Sequence, residues 1–330
     1  MSEKLGIREY SAVIMLPILI IGIIGNGLSI FVYSRIFMRR NAVGFLLLCL
    51  SISDLVVLVT GLPIFSYYKF PFVPGKNQPG SWHSRICAFS LVYFYPIGAC
   101  AKMISQYIIL IVSIERWFAV CRPLEVHIWC TVRIAVKYLV IVICLSIFFN
   151  IPRFFEYEAD LKTGIINATL SHSKMNKIYF TIFTGVKAII IDALIPFLTL
   201  SVTNIKVIRQ LNKSSEERRS MTSQKHKEAT TTTMLLVMIL LYAVTHFLNA
   251  FIKFLNTIVF RRYGQHHSQI LLYLHYTSNI LIVAYTTSTF FIYLIFSVKF
   301  RLVIIAIFTC KSYDELNSTS NRATNRNSKS

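Results

Sequence analysis

Lys102 and Asp192 each lie inside a long apolar stretch, where an ionisable group is costly unless it is paired or put to use. At about 1.5 Å per helical residue, both sit at similar depth, roughly half-way along their stretches. They are expected to approach each other across a pocket floor. Asp192, or the nearby acids Glu156, Glu158 and Asp160, offers a forked acceptor for a guanidinium. The competing reading is a structural pair that touches no ligand. Lys187, nearer the end of the same stretch as Asp192, is expected to snorkel towards water. Asp54, also mid-stretch, needs polar company, for which Asn26, Ser288 and Thr289 are the candidates. His246 is a titratable ring able to hydrogen-bond Asn249 or a ligand, against the alternative of a satisfied core histidine. Tyr276, with Tyr95, Tyr107 and Tyr273, supplies aromatic wall for the same pocket.

None of this is arranged for bond-breaking chemistry. The eight histidines are scattered, and no His-Glu-x-x-His run, nucleophile elbow or glycine-rich phosphate loop occurs. An enzyme is not expected, and no cofactor or metal ligand set is read.

The elements that carry these residues are apolar runs near 11–34, 43–68, 85–114, 132–151, 178–203, 230–258 and 269–298. Each reaches the roughly 20 residues that a helix needs to cross ~30 Å of hydrocarbon. With 55% hydrophobic residues and 25 Phe, the chain reads as an all-α membrane protein, a seven-helix bundle over 11–298. Residues 299–309 form a short amphipathic eighth helix, with Phe300, Val303, Ile304 and Ile307 on one face. No internal repeat or soluble domain is apparent.

Orientation follows from the basic residues. Segments around 34–42, 116–137, 206–228 and 299–330 hold 20 of the 34 lysines and arginines, so these are assigned to the cytoplasm. The polar N-terminus, residues 1–10, is then extracellular and the C-terminus cytoplasmic, in a multi-pass protein of the plasma membrane. The formal charge of +20 reflects this topology and anionic lipid rather than nucleic acid. The first run is too long for a cleaved signal core and serves as its own insertion signal.

Asn167-Ala168-Thr169 is a glycosylation sequon on the outer side. The seven cysteines form no disulfide framework, since Cys87 alone lies at the outer boundary. Cys310, after the amphipathic stretch, suits palmitoylation, an ordinary reduced thiol being the alternative. The tail 310–330, rich in Asn, Ser and Thr, reads as disordered, and its hydroxyls suit phosphorylation.

The specific pattern lies in Gly25-Asn26, Leu50 to Asp54, Cys87, Ser113-Ile114-Glu115-Arg116, Ala119 to Leu124, Asn150-Ile151-Pro152-Arg153-Phe154-Phe155-Glu156, and Pro196 with Asn204. On these residues the chain resembles the rhodopsin-like G-protein-coupled receptors, and within them the invertebrate FMRFamide-receptor branch. The resemblance covers roughly 15–310 and is sharpest over 93–156.

It implies a receptor for a short amidated peptide, coupled to a heterotrimeric G protein and, through a phosphorylated tail, to arrestin. Binding would select among conformations without chemistry. The pocket would lie between the third, fifth, sixth and seventh helices, with Asp192 or the loop acids taking a peptide arginine. The resemblance further implies an Arg116–Glu228 inter-helix latch in the inactive state, a switch role for Glu115 and Tyr293, an aromatic switch position at His246, and a sodium ion near Asp54. A small-molecule chemoreceptor of the same fold is the first alternative. A transporter or channel subunit is the second, although paired broken helices are not seen.

Three departures from the family pattern stand out. Residues 153–176 hold no cysteine to bridge to Cys87, the sixth helix lacks a proline around Tyr242 to Leu248, and the seventh reads Thr289-Phe290-Phe291-Ile292-Tyr293 in place of Asn-Pro-x-x-Tyr. Two proline bends are therefore not expected.

Overall fold

The computed structural model describes residues 7–66, 81–160, 165–167, 187, 189–216, 223–263 and 269–309. Among them, seven helices are long and apolar enough to cross a membrane. They are α1 (Ile7–Tyr33), α2 (Ala42–Gly61), α3 (Tyr95–Cys121), α4 (Val132–Asn150), α5 (Ile195–Glu216), α6 (Ser223–Tyr263) and α7 (Gln269–Phe296). An eighth, α8 (Val298–Thr309), follows α7 directly.

Helix starts obey local chemistry. Asn41 accepts from the Gly44 amide at 2.7 Å to open α2, and Thr131 accepts from Ile134 at 3.4 Å to open α4. Pro96 at the start of α3 leaves no helical donor unsatisfied. Both α6 and α7 run unbroken, as expected where the sequence offers no proline.

The helices form a ring in which α1 packs on α2 and α7, α2 on α3, α3 on α5, and α6 on α5 and α7, with α4 outside against α3. Buried residues of α4 are only Ala135, Val142, Ser146 and Asn150, a narrow seam of small and polar groups. Its Val140, Ile141 and Phe148 remain exposed, as lipid-facing positions must. Close approach of α1 and α7 depends on glycine: a Cβ on Gly25 would meet the Phe290 ring at 2.8 Å. Across the same seam Thr287 Oγ1 donates to the Ile18 carbonyl at 3.1 Å.

The main core joins Leu46, Leu50, Ile108, Leu235, Met238 and Tyr242 around α3. Towards the Arg116 end it runs into an aromatic knot. Tyr293, with no exposed surface, stands edge-on to Tyr33 at 5.2 Å and 5.5 Å from Phe300 of α8. Phe300 and Val303 are buried and Ile304 and Ile307 pack against the same core, so the apolar face of α8 is as expected.

Several boundaries depart from the sequence reading. The segment assigned to the cytoplasm around 206–228 is helical at both margins, because α5 continues to Glu216 and α6 begins at Ser223. Polar residues there are good helix formers, and hydropathy marks only the part of a helix in lipid. Within the segment read as an external loop, β1 (Glu158–Asp160) pairs antiparallel with β2 (Ile165–Asn167), placing Asn167 opposite Glu158. Cys310 and the tail lie outside the described residues, as do residues 1–6 and the side chain of Glu228.

Candidate functional site

A cavity of about 380 Å³ opens in the half of the bundle that holds Cys87. Its walls come from α2 (Thr60), α3 (Lys102, Gln106), α6 (His246) and α7 (Asn279), and from residues flanking α4 and α5. Three wide turns border it: residues 62–66 after α2, 90–94 before α3 and 189–194 before α5 wind as π-helix. Such turns re-aim side chains relative to a regular helix and concentrate at functional sites.

The last of these turns has an identifiable support. Pro196 has no backbone N–H, so the carbonyls four and five residues earlier, Asp192 and Ile191, lose a helical donor. Both are taken up from α3. Gln106 Nε2 donates to the Asp192 carbonyl at 2.6 Å and the Tyr107 hydroxyl to that of Ile191 at 3.1 Å. Neither partner was anticipated from the sequence, although the proline signalled that some donor was needed.

The turn sets the side chain of Asp192 beside Lys187, whose Nζ lies 3.1 Å from both carboxylate oxygens. Lys187 is buried, with 6% of its side chain exposed, and so does not snorkel. Its expected role is corrected: an ion pair within the membrane outweighs the reach to water, because an isolated charge there is the costlier state. Lys102 lines the same cavity as Asp192, whose carboxylate is paired with Lys187. A ligand guanidinium aimed at Asp192 would have to displace Lys187.

The block Asn150 to Glu156 forms the adjoining wall. Arg153 donates from Nε to Asn150 Oδ1 at 3.2 Å and from Nη1 to the Tyr95 hydroxyl, and lies 4.0 Å from Glu156. Asn150 in turn donates to the Ser146 carbonyl at 2.7 Å. Thus Arg153 and Tyr95 line the cavity, whereas Glu156 is turned to Arg153, and neither it nor the buried Tyr276 is among the lining residues described. His246 does line it, stacked on Tyr242 at 4.1 Å and edge-on to Tyr285 at 5.8 Å. Its proposed partner Asn249 donates instead to Ser278 of α7 at 3.1 Å.

Below the cavity Asp54 is 1% exposed and accepts from Ser105 Oγ at 2.6 Å, with Thr289 beside it. Ser105, on α3, was not foreseen. Asn26 and Ser288 make their hydrogen bonds elsewhere. Asn26 Nδ2 donates to the carbonyls of Gly22 and Thr286, and Ser288 to that of Tyr285 at 2.7 Å. Hydroxyls and amides in a helix find a nearby carbonyl first, which spacing alone cannot rule out. Asp54 Oδ2 and Asn26 Oδ1 are buried and accept no hydrogen bond among the described residues. An all-oxygen set of this kind suits a hard cation, and among the described residues no cluster of His, Cys, Asp and Glu suits a softer one.

At the opposite end, Glu115 is 6% exposed, Arg116 is half-buried, and the cations of Arg122 and Lys206 each lie 5.4 Å from the Trp117 ring. Arg122 also pairs with Glu125 at 2.9 Å. Outside the membrane spans, burial and the nearby Glu115 push the Cys130 thiol up to about 11.

Six apolar helices in a ring with a seventh packed outside it, a cavity at one end and the adjacent Glu115 and Arg116 at the other agree with the comparison of the whole sequence. Residues 25–290 match the 7 transmembrane receptor (rhodopsin family) model. The chain belongs to the rhodopsin family of seven-transmembrane receptors. This is a receptor family and not an enzyme family. This rhodopsin-family receptor is 31% identical over 303 residues to the FMRFamide peptide receptor frpr-18 of Caenorhabditis elegans, covering 91% of the chain and 69% of that protein. Against the FMRFamide receptor of Drosophila melanogaster it is 28% identical over 295 residues, covering 88% of the chain and about half, 52%, of that protein. A shorter match, 30% over 141 residues, is to the human Neuromedin-U receptor 2. A multi-pass membrane protein follows from the family and the seven spans.

Proposed function

We propose that the chain is a plasma-membrane receptor for a short amidated peptide of the FMRFamide type, with its N-terminus outside, its C-terminus in the cytoplasm and a heterotrimeric G protein as its partner. One observation carries this most: a cavity of about 380 Å³, mostly apolar with charged groups in its wall, lies at the Cys87 end of a bundle whose relatives are named as FMRFamide receptors. The excess of basic residues towards the other end supports assigning the cavity to the outside. At the lower end of the roughly 300–1,000 Å³ usual for ligand sites, the cavity takes part of a peptide, and the rest lies across its mouth.

Lys102, Asp192 and His246 line the ligand cavity; Glu156 acts on it through Arg153, and Tyr276 through packing of α7. Arg116 meets the G protein when α6 moves, and a bond to Glu228 holds the resting state. Such a bond biases two states by about 1–3 kcal/mol. The oxygens of Asp54, Ser105 and Thr289 would hold a sodium ion, whose charge would offset the buried carboxylate. Asn167 carries glycan, Cys310 a palmitoyl chain at the lipid surface, and the phosphorylated tail recruits arrestin. No catalytic activity and no nucleic-acid partner is included.

The test is expression with a promiscuous G protein and a panel of peptides ending in Arg-Phe-amide. Wild type responds to at least one, and Arg116→Ala reaches the cell surface but gives no response. A surface-expressed wild type silent to the whole panel, yet activated by a small-molecule library, would replace this reading with a chemoreceptor.

A further inference from the structure

The cavity reaches α2, beyond the third, fifth, sixth and seventh helices, and its two sides differ in chemistry. Among its described lining residues the charged ones are Lys102 of α3, Arg153 after α4, and Lys187 and Asp192 before α5. The wall made by α2, the turn at 62–66 and α7 holds apolar groups instead. Val57, Gly61, Ile64 and Phe65 line it on the α2 side, Ile282 and Val283 on the α7 side, and Thr60 and Asn279 are its polar members.

The shape of that wall follows from the local sequence. Pro63 has no backbone N–H, so the Val59 carbonyl loses its helical donor and the chain winds into the wide turn of residues 62–66. Such winding offsets side chains from a regular helix, and the neighbours Ile64 and Phe65 both line the cavity. Gly61 lets the Phe65 ring lie back on α2, because a Cβ there would stand 3.1 Å from it. Gly98 of α3 closes against the same helix, since its Cβ would meet Thr60 Oγ1 at 2.6 Å. Thr60 adds no donor to the wall: its one hydroxyl hydrogen goes to the carbonyls of its own helix, Val56 at 2.7 Å and Val57 at 3.2 Å.

A wall of this kind favours an apolar group, which gains by leaving water, over a charged one, which would lose its hydration there. The Arg-Phe-amide end of a peptide offers one of each on adjacent residues. In an extended chain adjacent side chains point to opposite sides, so a ring turned to α2 and α7 turns the arginine away from them.

Resting on the peptide-receptor reading, we propose that the wall between α2 and α7 is the subsite for the peptide's terminal phenylalanine ring, and that Val57 and Ile64 set the size of ring it accepts. Both are half-buried and belong to neither apolar core cluster, whereas Phe65 and Val283 pack with Met15 and Leu19. Trimming Val57 or Ile64 therefore widens the subsite without opening the core.

The experiment uses the full chain in cells with a promiscuous G protein. The probes are Phe-Met-Arg-Xaa-amide peptides in which Xaa is Phe, Ala or 2-naphthylalanine. On the wild type, Ala is expected to be weaker than Phe by about 10- to 100-fold, the loss of a buried aromatic side chain. Naphthylalanine, too large for the subsite, is weaker by about tenfold. In Val57→Ala and Ile64→Ala the naphthylalanine peptide matches or exceeds the Phe peptide. In Val57→Phe, which fills the subsite, the advantage of Phe over Ala falls below about threefold. Each result is a ratio of two peptides on one receptor, so a loss of surface expression cancels. Retention of the wild-type order in both alanine variants overturns this proposal and leaves the peptide-receptor reading intact. So does an advantage of Phe over Ala that survives Val57→Phe but is lost in Ala250→Phe, which would put the ring on α6. Silence of the wild type to these peptides and to the wider Arg-Phe-amide panel defeats that reading, and the subsite with it.

Discussion

Replacing Gln106 with leucine deletes the donor that compensates for Pro196, and the consequence can be separated from a general packing loss. With Pro196 retained, the substitution leaves the Asp192 carbonyl without its 2.6 Å bond from Gln106 in a partly buried site. An orphaned buried acceptor costs about 1–3 kcal/mol, although bonds between membrane helices average only about 0.6 and reach about 1.7. A loss near 1 kcal/mol is expected. In a Pro196→Ala background the alanine N–H can bond the same carbonyl within α5, so there Gln106→Leu should cost little. The double-mutant cycle therefore has a coupling of about 1 kcal/mol, with the double mutant more stable than the two single losses predict. Thermal unfolding of the detergent-purified receptor reads it, at roughly 1–2 °C per kcal/mol for a chain of this size. Equal losses in both backgrounds would refute the reasoning, since the glutamine would then be stabilising by packing alone. The partner substitution Tyr107→Phe, which removes the 3.1 Å bond to Ile191, provides a second test in the same direction.

Four other outcomes follow from the same structure. Gly25→Val should lower stability by about 1–3 kcal/mol through overlap with Phe290, and Phe290→Ala should recover part of it, as thermal unfolding of the pair will tell. Lys187→Met leaves the Asp192 charge uncompensated and should reduce stability by about 3 kcal/mol, visible as lost surface expression that Asp192→Asn restores; no loss would mean that Lys102 alone suffices. Sodium chloride should raise the unfolding temperature above that in choline chloride, and Asp54→Asn should abolish the difference; an unchanged difference removes Asp54 from any ion site. Because the Cys130 thiol is raised from 9.0 to about 11, it stays protonated at neutral pH and should alkylate slowly until the pH approaches 11. The sign for stability is the same: an unfolded thiol ionises near 9 while the folded one does not, so stability falls as pH rises from 9 to 11. Mass spectrometry of iodoacetamide adducts at Cys130 measures the reactivity, and rapid labelling at pH 7.5 would contradict it.

Much of this was open to a reader of the chain alone. Seven spans and the amphipathic face of Phe300 and Val303 follow from hydropathy and a 3.6-residue period, because lipid imposes its demand locally, one helix at a time. The depth of Lys102 and Asp192 is likewise a matter of counting residues. Pairings were not so accessible. Asp192 takes Lys187, Asp54 takes Ser105, and Asn26 turns to Gly22 and Thr286, since each choice depends on which helix faces which and on the wide turn before Pro196. Hydropathy also stopped short at the ends of α5 and α6, where helix continues into water without an apolar signature. Composition and spacing thus determined that charges would be buried in a seven-helix membrane bundle. Which partner each would find was decided only by the tertiary structure, because a hydrogen bond is selected over about 3 Å and the rotation of one helix against its neighbour is not written in either one alone.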